Sequence, residues 1–307
     1  MKFKYNKINS GDWYAHVNKQ LATKPNIQFL KAKINSFFFK GLNVVVGTDR
    51  GDFYASQKVF DSISTFTCDF ENPKHIKQHF LGWTIESHFP IFKPESADLF
   101  DFRVALGLEC EFMYVLPSSP KKALFEYTFF SGNLREKTYY RDKLKAYLLA
   151  YYGFGENDYD IKEEEYGVIP MRPLEENAQN VFAKLIKIGT SGGFVKSTTG
   201  YSFLRTQRIL QDLVVNLETK NHKALVLKEF RFKKWLDKVF LQVLIDQKIA
   251  GSKVFESLFF KNSPQKMLRF LEEKTSLWED LSLMLTVPTF PFLLAAIKLF
   301  FKGNKLQ

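Results

Sequence analysis

The chain has 307 residues, an aromatic content of 16% with 33 phenylalanines, and a formal net charge of +11. This length can bury a sizeable core and suits about two subdomains. The charge favours anionic partners, but no zinc-finger, homeodomain or aromatic RNA-binding signature accompanies it, so nucleic acid is not expected as a partner. An anionic lipid surface fits both the charge and the surplus of phenylalanine, and an ordinary solvated surface explains the charge equally well.

The cysteines and the N-terminus indicate the compartment. Cys68 and Cys110 are too few for a disulfide framework or a metal site, so we expect no metal and a reducing environment. The N-terminal residues lack the apolar stretch of a signal peptide. The sequence therefore predicts a cytoplasmic location.

An uncharged stretch near the C-terminus is the strongest membrane signal. Residues 281–297 carry no charge, but Pro288 and Pro291 interrupt them. The stretch also falls short of the roughly 20 residues that a membrane span needs. Because Lys298 and further lysines follow, it predicts an interfacial segment that keeps the protein peripheral to the inner face of the membrane. A buried helix pair is the alternative.

The N-terminal part of the chain predicts a helix followed by a β-meander. Ser10 is the expected cap of a helix over residues 11–21, and residues 26–34 alternate as a strand. Two further strands, at 42–47 and 53–60, form a predicted hairpin around the turn DRGD at 49–52.

The central part predicts a sheet of long antiparallel strands and one helix. The helix at 138–152 is amphipathic, and the helical spacing places Leu144, Tyr147, Leu148 and Tyr151 on one face. A sheet open on one face would roof a pocket. The predicted strands lie at 77–87, 99–108, 111–116, 122–129 and 159–171.

A glycine-rich turn follows the sheet. A strand at 185–188 runs into GTSGG at 189–193, KSTTG follows at 196–200, and a helix is predicted over 201–218. In such an arrangement, backbone N–H groups and the positive end of the helix dipole lie at one place. This place is where the strand, the glycine turn and the hydroxyl residues of the cap lead into the helix. The pattern predicts a site for an anion or an electron-rich ring edge, with a plain helix cap as the alternative.

The C-terminal part, residues 221–307, predicts helices throughout. Pro264 directly after the cap residue Ser263 is a helix start signal. The predicted helices lie at 224–247, 252–260, 263–273 and 277–285.

Six sequence blocks, found in one order, carry a family resemblance. The blocks E-x-G-V-I-P-M at 165–171 and G-T-x-G-G-x-x-K-x-x-T-G-Y at 189–201 resemble the flavin-dependent lycopene cyclases of carotenoid biosynthesis. The resemblance implies a Rossmann-type FAD fold in which the second of these blocks is the C-terminal flavin contact. QHFLGW, DFR, YVLP and ALFEYT match the same family, at 78–83, 101–103, 114–117 and 123–128.

One part of the family pattern is missing from the sequence. Such a flavoprotein should open with a strand, G-x-G-x-x-G and a helix, and this chain contains no such fingerprint. We therefore expect an N-terminally shortened homologue of α/β (α+β) class with an incomplete Rossmann-like FAD-binding domain. The expected divisions are a partial FAD-binding domain at 1–65, an antiparallel-sheet substrate domain at 66–175, a segment closing the FAD domain at 176–220, and a helical C-terminal region at 221–307.

The resemblance also implies an activity. A cyclase of this type closes the ends of lycopene or a related linear carotenoid without net oxidation, over reduced FAD supplied with electrons by NAD(P)H. The reaction needs a carboxyl group that stays protonated near neutrality, aromatic faces near the cation and exclusion of water. Glu126 and Glu165 match the family's acidic residues and are the candidate catalytic carboxylates. An exposed strand position for Glu126 and a solvated charge run for Glu165 are the alternatives.

The remaining candidates follow from the same blocks. Trp83, Tyr127 and Met171 are expected to line the substrate pocket. Two other functions stay open: a flavin-dependent hydroxylase or reductase of another isoprenoid, and a non-catalytic remnant that binds a membrane surface. The expected cofactor-binding residues are Gly189, Thr190, Gly192, Gly193, Thr199, Gly200 and Tyr201.

Overall fold

The computed structural model describes residues 7–63, 72–73, 75–171, 184–218 and 231–301. These residues form ten strands and eight α-helices. In chain order they are α1 (Ser10–Ala22), β1 (Ile34–Lys40), β2 (Asn43–Thr48), β3 (Gly51–Ala55), β4 (Val59–Asp61), β5 (Lys77–Ser87), β6 (Asp98–Asp101), β7 (Cys110–Pro117), β8 (Lys122–Ser131), α2 (Lys137–Tyr152), β9 (Tyr159–Pro170), β10 (Leu185–Lys187), α3 (Phe203–Glu218), α4 (Arg231–Asp246), α5 (Gly251–Phe260), α6 (Pro264–Leu271), α7 (Leu277–Met284) and α8 (Thr289–Phe301).

The largest sheet packs one face against α2. Its five strands run antiparallel in the order β6-β7-β8-β5-β9. Successive side chains of a strand point to opposite faces, so alternate residues of β5 and β8 enter one core. Each large apolar side chain fully buried there contributes about 1.5–3 kcal/mol. The core includes Leu81, Trp83, Ile85, Phe125, Tyr127 and Phe129 of the sheet, and Tyr140, Leu144, Tyr147 and Leu148 of α2.

The opposite face of this sheet is covered at its β7 end by two C-terminal helices. Phe112 of β7 and Phe130 of β8 pack against Phe255 of α5. Leu241 and Leu244 of α4 join the same cluster. The helical C-terminal region therefore shares a core with the sheet.

A short parallel pair links the glycine turn to the N-terminal part of the chain. β4 lies beside β10, with Val59 opposite Leu185. Parallel strands need a long crossover connection, and the five-stranded sheet with α2 lies between them in sequence. Immediately after the pair, the Ile188 amide donates to the Asp61 carbonyl at 2.8 Å. The turn is thereby held beside the end of β4.

Most predicted elements appear, but several boundaries are wrong. The strand predicted at 53–60 is divided into β3 and β4, which belong to different sheets. Asn9, not Ser10, caps α1, because its side chain accepts a hydrogen bond from the Asp12 amide. The strand predicted at 26–34 begins only at Ile34, the first residue that pairs with β2. The strand predicted at 99–108 ends at Asp101, because the Asp101 carboxylate accepts the Arg103 amide and caps a 3₁₀ turn.

Other predicted elements are confirmed. The strand at 77–87 has the predicted bounds, and the hairpin around residues 49–52 forms between β2 and β3. The mixed α/β fold class with an antiparallel sheet is confirmed as well. The division into domains stays a prediction. Cys68, residues 224–230 of a predicted helix, and Lys302 and Lys305 lie outside the described residues.

The last two helices form a bent pair. None of the described helices is by itself long and apolar enough to cross a membrane. Taken together, α7 and α8 have the length and composition of a span, but they bend by 117° at the break between them.

Gly251 allows α5 to touch β7, and its replacement tests the helix–sheet contact. A Cβ atom at this position would lie 2.7 Å from the Cα atom of Cys110. We expect Gly251→Ala to lower the free energy of unfolding by about 1–3 kcal/mol, because backbone atoms must move to remove the overlap. Gly107→Ala is the control, since nothing lies within 4 Å of the Cβ it would add. Urea denaturation measures both, and equal stability of the two variants would contradict the contact.

Candidate functional site

Two glutamates lie in one row across the five-stranded sheet. Gly82 of β5 pairs with Glu126 of β8 on one side and with Glu165 of β9 on the other. Directly paired residues point to the same face of a sheet, so both carboxylates project on the face opposite α2. Glu126 is half-buried and Glu165 is exposed. The structure thus brings together the two candidate catalytic carboxylates.

Gly82 makes the approach of the two carboxylates possible. A Cβ atom on Gly82 would lie 3.3 Å from Glu165 Oε1 and 3.3 Å from Leu124 Cδ1. The Glu165 side chain therefore leans across the glycine toward β8. The backbones of β8 and β9 are about 10 Å apart, since each neighbouring pair of strands is separated by about 4.8 Å. Without a side chain at Gly82, nothing from the central strand stands between the two carboxylates.

The surroundings of Glu126 favour its protonated form. Burial raises the pKa of Glu126 to about 7, a hydrogen bond from Thr128 opposes the rise, and the charge of Glu165 adds to it. The Thr128 hydroxyl donates to Glu126 Oε1 at 2.9 Å. A raised carboxyl pKa means that the folded chain binds a proton more tightly than the unfolded one, so the fold loses stability as the pH rises through about 7. Glu126 can therefore hold a proton at neutral pH.

Of the three residues predicted to line a substrate pocket, only Met171 packs on the side of the sheet that carries the carboxylates. Trp83 and Tyr127 point into the α2 core, where the Trp83 indole N–H donates to Glu164 at 2.8 Å. Their positions alternate with Gly82 and Glu126 along the strands, so they must face the other way. Met171 is buried among the sheet and the C-terminal helices. The prediction for Trp83 and Tyr127 is wrong because residues that are neighbours in a strand point to opposite faces of the sheet.

Most backbone amides of the glycine turn donate hydrogen bonds to acceptors in or next to the turn. Gly192 and Gly193 donate to the carbonyls of Ile188 and Thr190, at 3.1 and 3.0 Å. Gly200 donates to the Lys196 carbonyl at 2.9 Å. Further along, the Thr199 amide also donates to the Lys196 carbonyl, at 3.3 Å, and the Tyr201 amide donates to the Thr199 hydroxyl at 3.4 Å. The helix predicted from residue 201 begins at Phe203. These amides therefore stabilise the turn itself.

Gly200 joins the turn to the carboxylate face of the sheet. Its φ is +73°, a conformation that favours glycine, and an added Cβ would overlap the side-chain oxygen of Gln78. Gln78 lies on β5, four residues before Gly82 and on the same face. Its Oε1 atom is buried and has no hydrogen-bond partner. The turn thus packs on the strand that also carries the centre of the carboxylate row.

A buried ion cluster holds the segment between the glycines, and no sequence pattern predicts it. Lys196 Nζ lies 3.2 Å from Asp237 of α4 and 3.1 Å from Glu273 after α6, and Arg205 of α3 donates to Glu273. The hydroxyls of Ser197 and Thr198 donate to Asp237 as well, at 3.2 and 3.3 Å. Lysine and aspartate are 41 positions apart, so no local pattern could have paired them.

The charges in this cluster stabilise one another. Burial acts against the charged form of Lys196, but Asp237 and Glu273 outweigh it and raise the pKa of Lys196. Burial also opposes the charged form of Glu273, but Lys196 and Arg205 outweigh it and lower the pKa of Glu273. Lys196 and Glu273 therefore both remain ionised near neutral pH. The cluster ties α3, α4 and the turn after α6 to the glycine-rich segment.

A large cavity lies away from the glycine turn. It has a volume of about 1070 Å³ and is bounded by β6, the end of β7, α5 and α6. Neither Gly193 nor Thr199 lines it. We call it the α5–α6 cavity.

Comparison with known proteins identifies related sequences and folds. A family model described as "Lycopene cyclase protein" matches residues 1–297. No curated protein matches the chain. Among solved structures, a geranylgeranyl bacteriochlorophyll reductase-like protein from Thermoplasma acidophilum has a TM-score of 0.55 and 10% identity, covering 94% of this chain and 73% of that chain. This likeness shows that the two share a fold.

Two further solved structures are similar at a lower level. A flavin-dependent brominase has a TM-score of 0.49 and 10% identity, covering 97% of this chain and 77% of that chain. The p-nitrophenol 4-monooxygenase from Pseudomonas putida DLL-E4 also has a TM-score of 0.49, with 12% identity, over 90% of this chain and 70% of that chain.

Replacement of Lys196 tests the buried cluster. We expect Lys196→Met to lower the free energy of unfolding by about 3–5 kcal/mol, because it leaves the carboxylates of Asp237 and Glu273 buried without their cation. The control is Lys253→Met, which breaks an exposed ion pair with Glu256 worth about 0–1 kcal/mol. Urea denaturation of both variants gives the comparison. A loss for Lys196→Met no larger than that of the control would show that the cluster does not stabilise the fold.

Proposed function

Because the chain belongs to the lycopene cyclase family, as the match over residues 1–297 shows, we propose that it cyclises the ends of lycopene or a related linear carotenoid. The observation that carries the proposal is Glu126, whose pKa is raised to about 7 on the open sheet face that it shares with Glu165. A carboxylic acid that keeps its proton at neutral pH is what an acid-initiated ring closure requires.

The proposed reaction conserves electrons. The Glu126 carboxyl donates its proton to a terminal double bond and leaves a tertiary carbocation. The nearby alkene of the same chain attacks this cation, a carbon–carbon bond closes the ring, and loss of a proton from the ring restores a double bond. That proton returns to the Glu126 carboxylate, so substrate and product are isomers. General acid–base catalysis of this kind contributes about 10²–10⁴ in rate.

Glu165 is proposed as the second carboxylate. Its charge contributes to the raised pKa of Glu126, so it favours the proton-donating form. A negative charge on the same face also favours a cation formed between the two strands. The half-buried Phe80, two residues before Gly82, adds an aromatic ring on this face. A ring of this kind can stabilise a cation by up to about 2 kcal/mol when water is excluded.

FAD is proposed as a cofactor on the strength of family membership. The flavin would contact the turn that contains Gly189, Thr190, Gly192, Gly193, Thr199, Gly200 and Tyr201. The buried, unpartnered Oε1 atom of Gln78 beside Gly200 is a polar group that a ligand could satisfy. The turn amides, however, already donate to the turn's own carbonyls, and the sequence holds no G-x-G-x-x-G for the pyrophosphate.

The residues present therefore do not make a complete FAD site. In the proposed ring closure, the Glu126 carboxyl makes both proton transfers and Glu165 acts through its charge. NAD(P)H, as the source of electrons for reduced FAD, stays a prediction from the family resemblance.

A membrane surface is the proposed partner that supplies the hydrocarbon. α8 is apolar on both sides: Ala295 and Leu299 pack toward α4, while the opposite stripe faces outward. A helix that is hydrophobic all round is normally buried in protein or in lipid. The exposed stripe follows helical spacing and comprises Phe290, Leu293, Leu294, Ile297, Phe300 and Phe301, with exposed fractions of 70%, 54%, 39%, 44%, 79% and 83%.

The neighbouring helix extends this apolar surface. Trp278 and Leu285 of the α7 segment are 81% and 85% exposed. Lys261, at the end of α5, donates to the Thr286 carbonyl at 3.1 Å and so places a cation beside the same surface. Aromatic and aliphatic side chains next to lysines suit an anionic lipid interface.

Expression in lycopene-accumulating cells tests the cyclase proposal. We expect the chain to form cyclic carotenoids and Glu126→Gln to lower their formation by about 10²–10⁴-fold, because the amide cannot donate the proton. Glu163→Gln is the matched control, since Glu163 is an exposed residue of the same strand as Glu165. Pigment analysis gives the readout. Full activity of Glu126→Gln, or no cyclic product from the unchanged chain, would contradict the proposal.

Binding to vesicles tests the membrane partner. We expect the triple variant Phe290→Ser, Leu293→Ser, Phe300→Ser to bind phosphatidylglycerol vesicles at least about tenfold more weakly, since each buried apolar side chain is worth about 1.5–3 kcal/mol.

The matched control carries Leu42→Ser, Leu106→Ser and Leu149→Ser, at exposed leucines outside α7 and α8. It should bind as the unchanged chain does in a sedimentation assay. Equal binding of the two triple variants would exclude the α8 stripe as the docking surface.

A further inference from the structure

The α5–α6 cavity has walls that suit a hydrocarbon. Its volume, about 1070 Å³, is at the upper end of the roughly 300–1,000 Å³ of ordinary ligand pockets. Rings from two sides enclose it: Phe100 and Phe102 stack on the sheet side, and Phe259 and Phe260 come from α5. Leu268 of α6 closes the wall.

Five charged side chains line this cavity, and three of them, Asp101, Arg103 and Glu256, have partners of opposite charge; Lys7 and Glu95 are the other two. Arg103 donates to the Asp101 carboxylate, and the Tyr147 hydroxyl donates to the same carboxylate at 2.5 Å. Glu256 lies 2.9 Å from Lys253. Paired charges present little unsatisfied polarity to a ligand. The walls therefore favour an apolar molecule over an anion.

The cavity continues onto the sheet face that carries Glu126. Leu116 lines the cavity and pairs with Leu124 of β8. Leu124 is two residues before Glu126 on the same face, a separation of about 7 Å along a strand. Lys7, another lining residue, is close enough to Glu126 for its charge to lower the pKa of that carboxyl. The cavity and the carboxylate row are thus adjacent.

The other end of the cavity is near the exposed apolar surface. Phe260 lines the cavity and is 87% exposed. Met267 of α6, which also lines the cavity, packs with Leu283 of α7 and with Val287. The cavity is therefore next to the α7 segment.

From these observations we infer that the α5–α6 cavity binds the unreacted length of a linear isoprenoid while its end reaches Glu126. The inference rests on the proposed function for its choice of occupant. Phe260 marks the entrance from the lipid surface, the phenylalanine rings contact the chain along its length, and Leu116 and Leu124 lead to the carboxylate row. The cavity would then select long, flexible, uncharged hydrocarbons.

Fluorescence of diphenylhexatriene, an uncharged conjugated hydrocarbon, measures the occupancy of this cavity. The unchanged chain should bind the probe, and geranylgeraniol, a linear C20 isoprenoid alcohol, should displace it. Leu268→Trp and Ala97→Trp fill the cavity from opposite walls and should each weaken binding at least tenfold with little change in unfolding temperature. Leu149→Trp, on the exposed side of α2, is the control and should bind within about twofold of the unchanged chain.

The outcomes of the binding experiment test the cavity independently of the cyclase reaction. Probe binding that both filling variants leave unchanged, or that geranylgeraniol does not compete, overturns the inference even where lycopene is cyclised. Loss of probe binding in a folded filling variant supports the cavity even where no cyclic carotenoid forms, and in that case the cyclase proposal fails alone. Ala97 lies in an exposed loop, so its variant remains informative if Leu268→Trp unfolds.

Discussion

The register between β8, β5 and β9 is the constraint on which the site depends. It places Glu126, Gly82 and Glu165 in one row, and a shift of one residue in either pairing would turn one carboxylate into the α2 core. The core prevents such a shift, because Trp83 and Phe125 would have to leave it for the open face. The packing against α2 therefore fixes the geometry of the carboxylates on the other side of the sheet.

The second constraint is the buried charge cluster around Lys196. It connects the glycine-rich segment to the C-terminal helices, while Gly200 rests on Gln78 of the central strand. The same helices cover the sheet and form the α5–α6 cavity. The sheet, the glycine turn and the helical region are thus in contact with one another.

Much of the fold could be predicted from local patterns, and the site only in part. The alternating apolar residues at 77–87 predict a strand with the bounds that the structure shows. Pro264 directly after Ser263 predicts the start of α6. The family blocks led to Glu126 and Glu165. Trp83 and Tyr127 are predicted to line the pocket but point into the α2 core. Their closeness to Gly82 and Glu126 in sequence does not show which face of the sheet they are on. Lys196 and Asp237 were not paired, because only tertiary structure brings them together.

The most direct measurement is the titration of the Glu126 carboxyl by carbon NMR in a chain labelled at its glutamate side chains. Comparison with Glu126→Gln identifies the signal. The account predicts a pKa of about 7 for Glu126, and a lower pKa in Glu165→Gln, where the neighbouring charge is gone. A Glu126 pKa near the ordinary 4.5, unchanged by Glu165→Gln, would contradict the claim that this sheet face keeps a carboxylic acid protonated for ring closure.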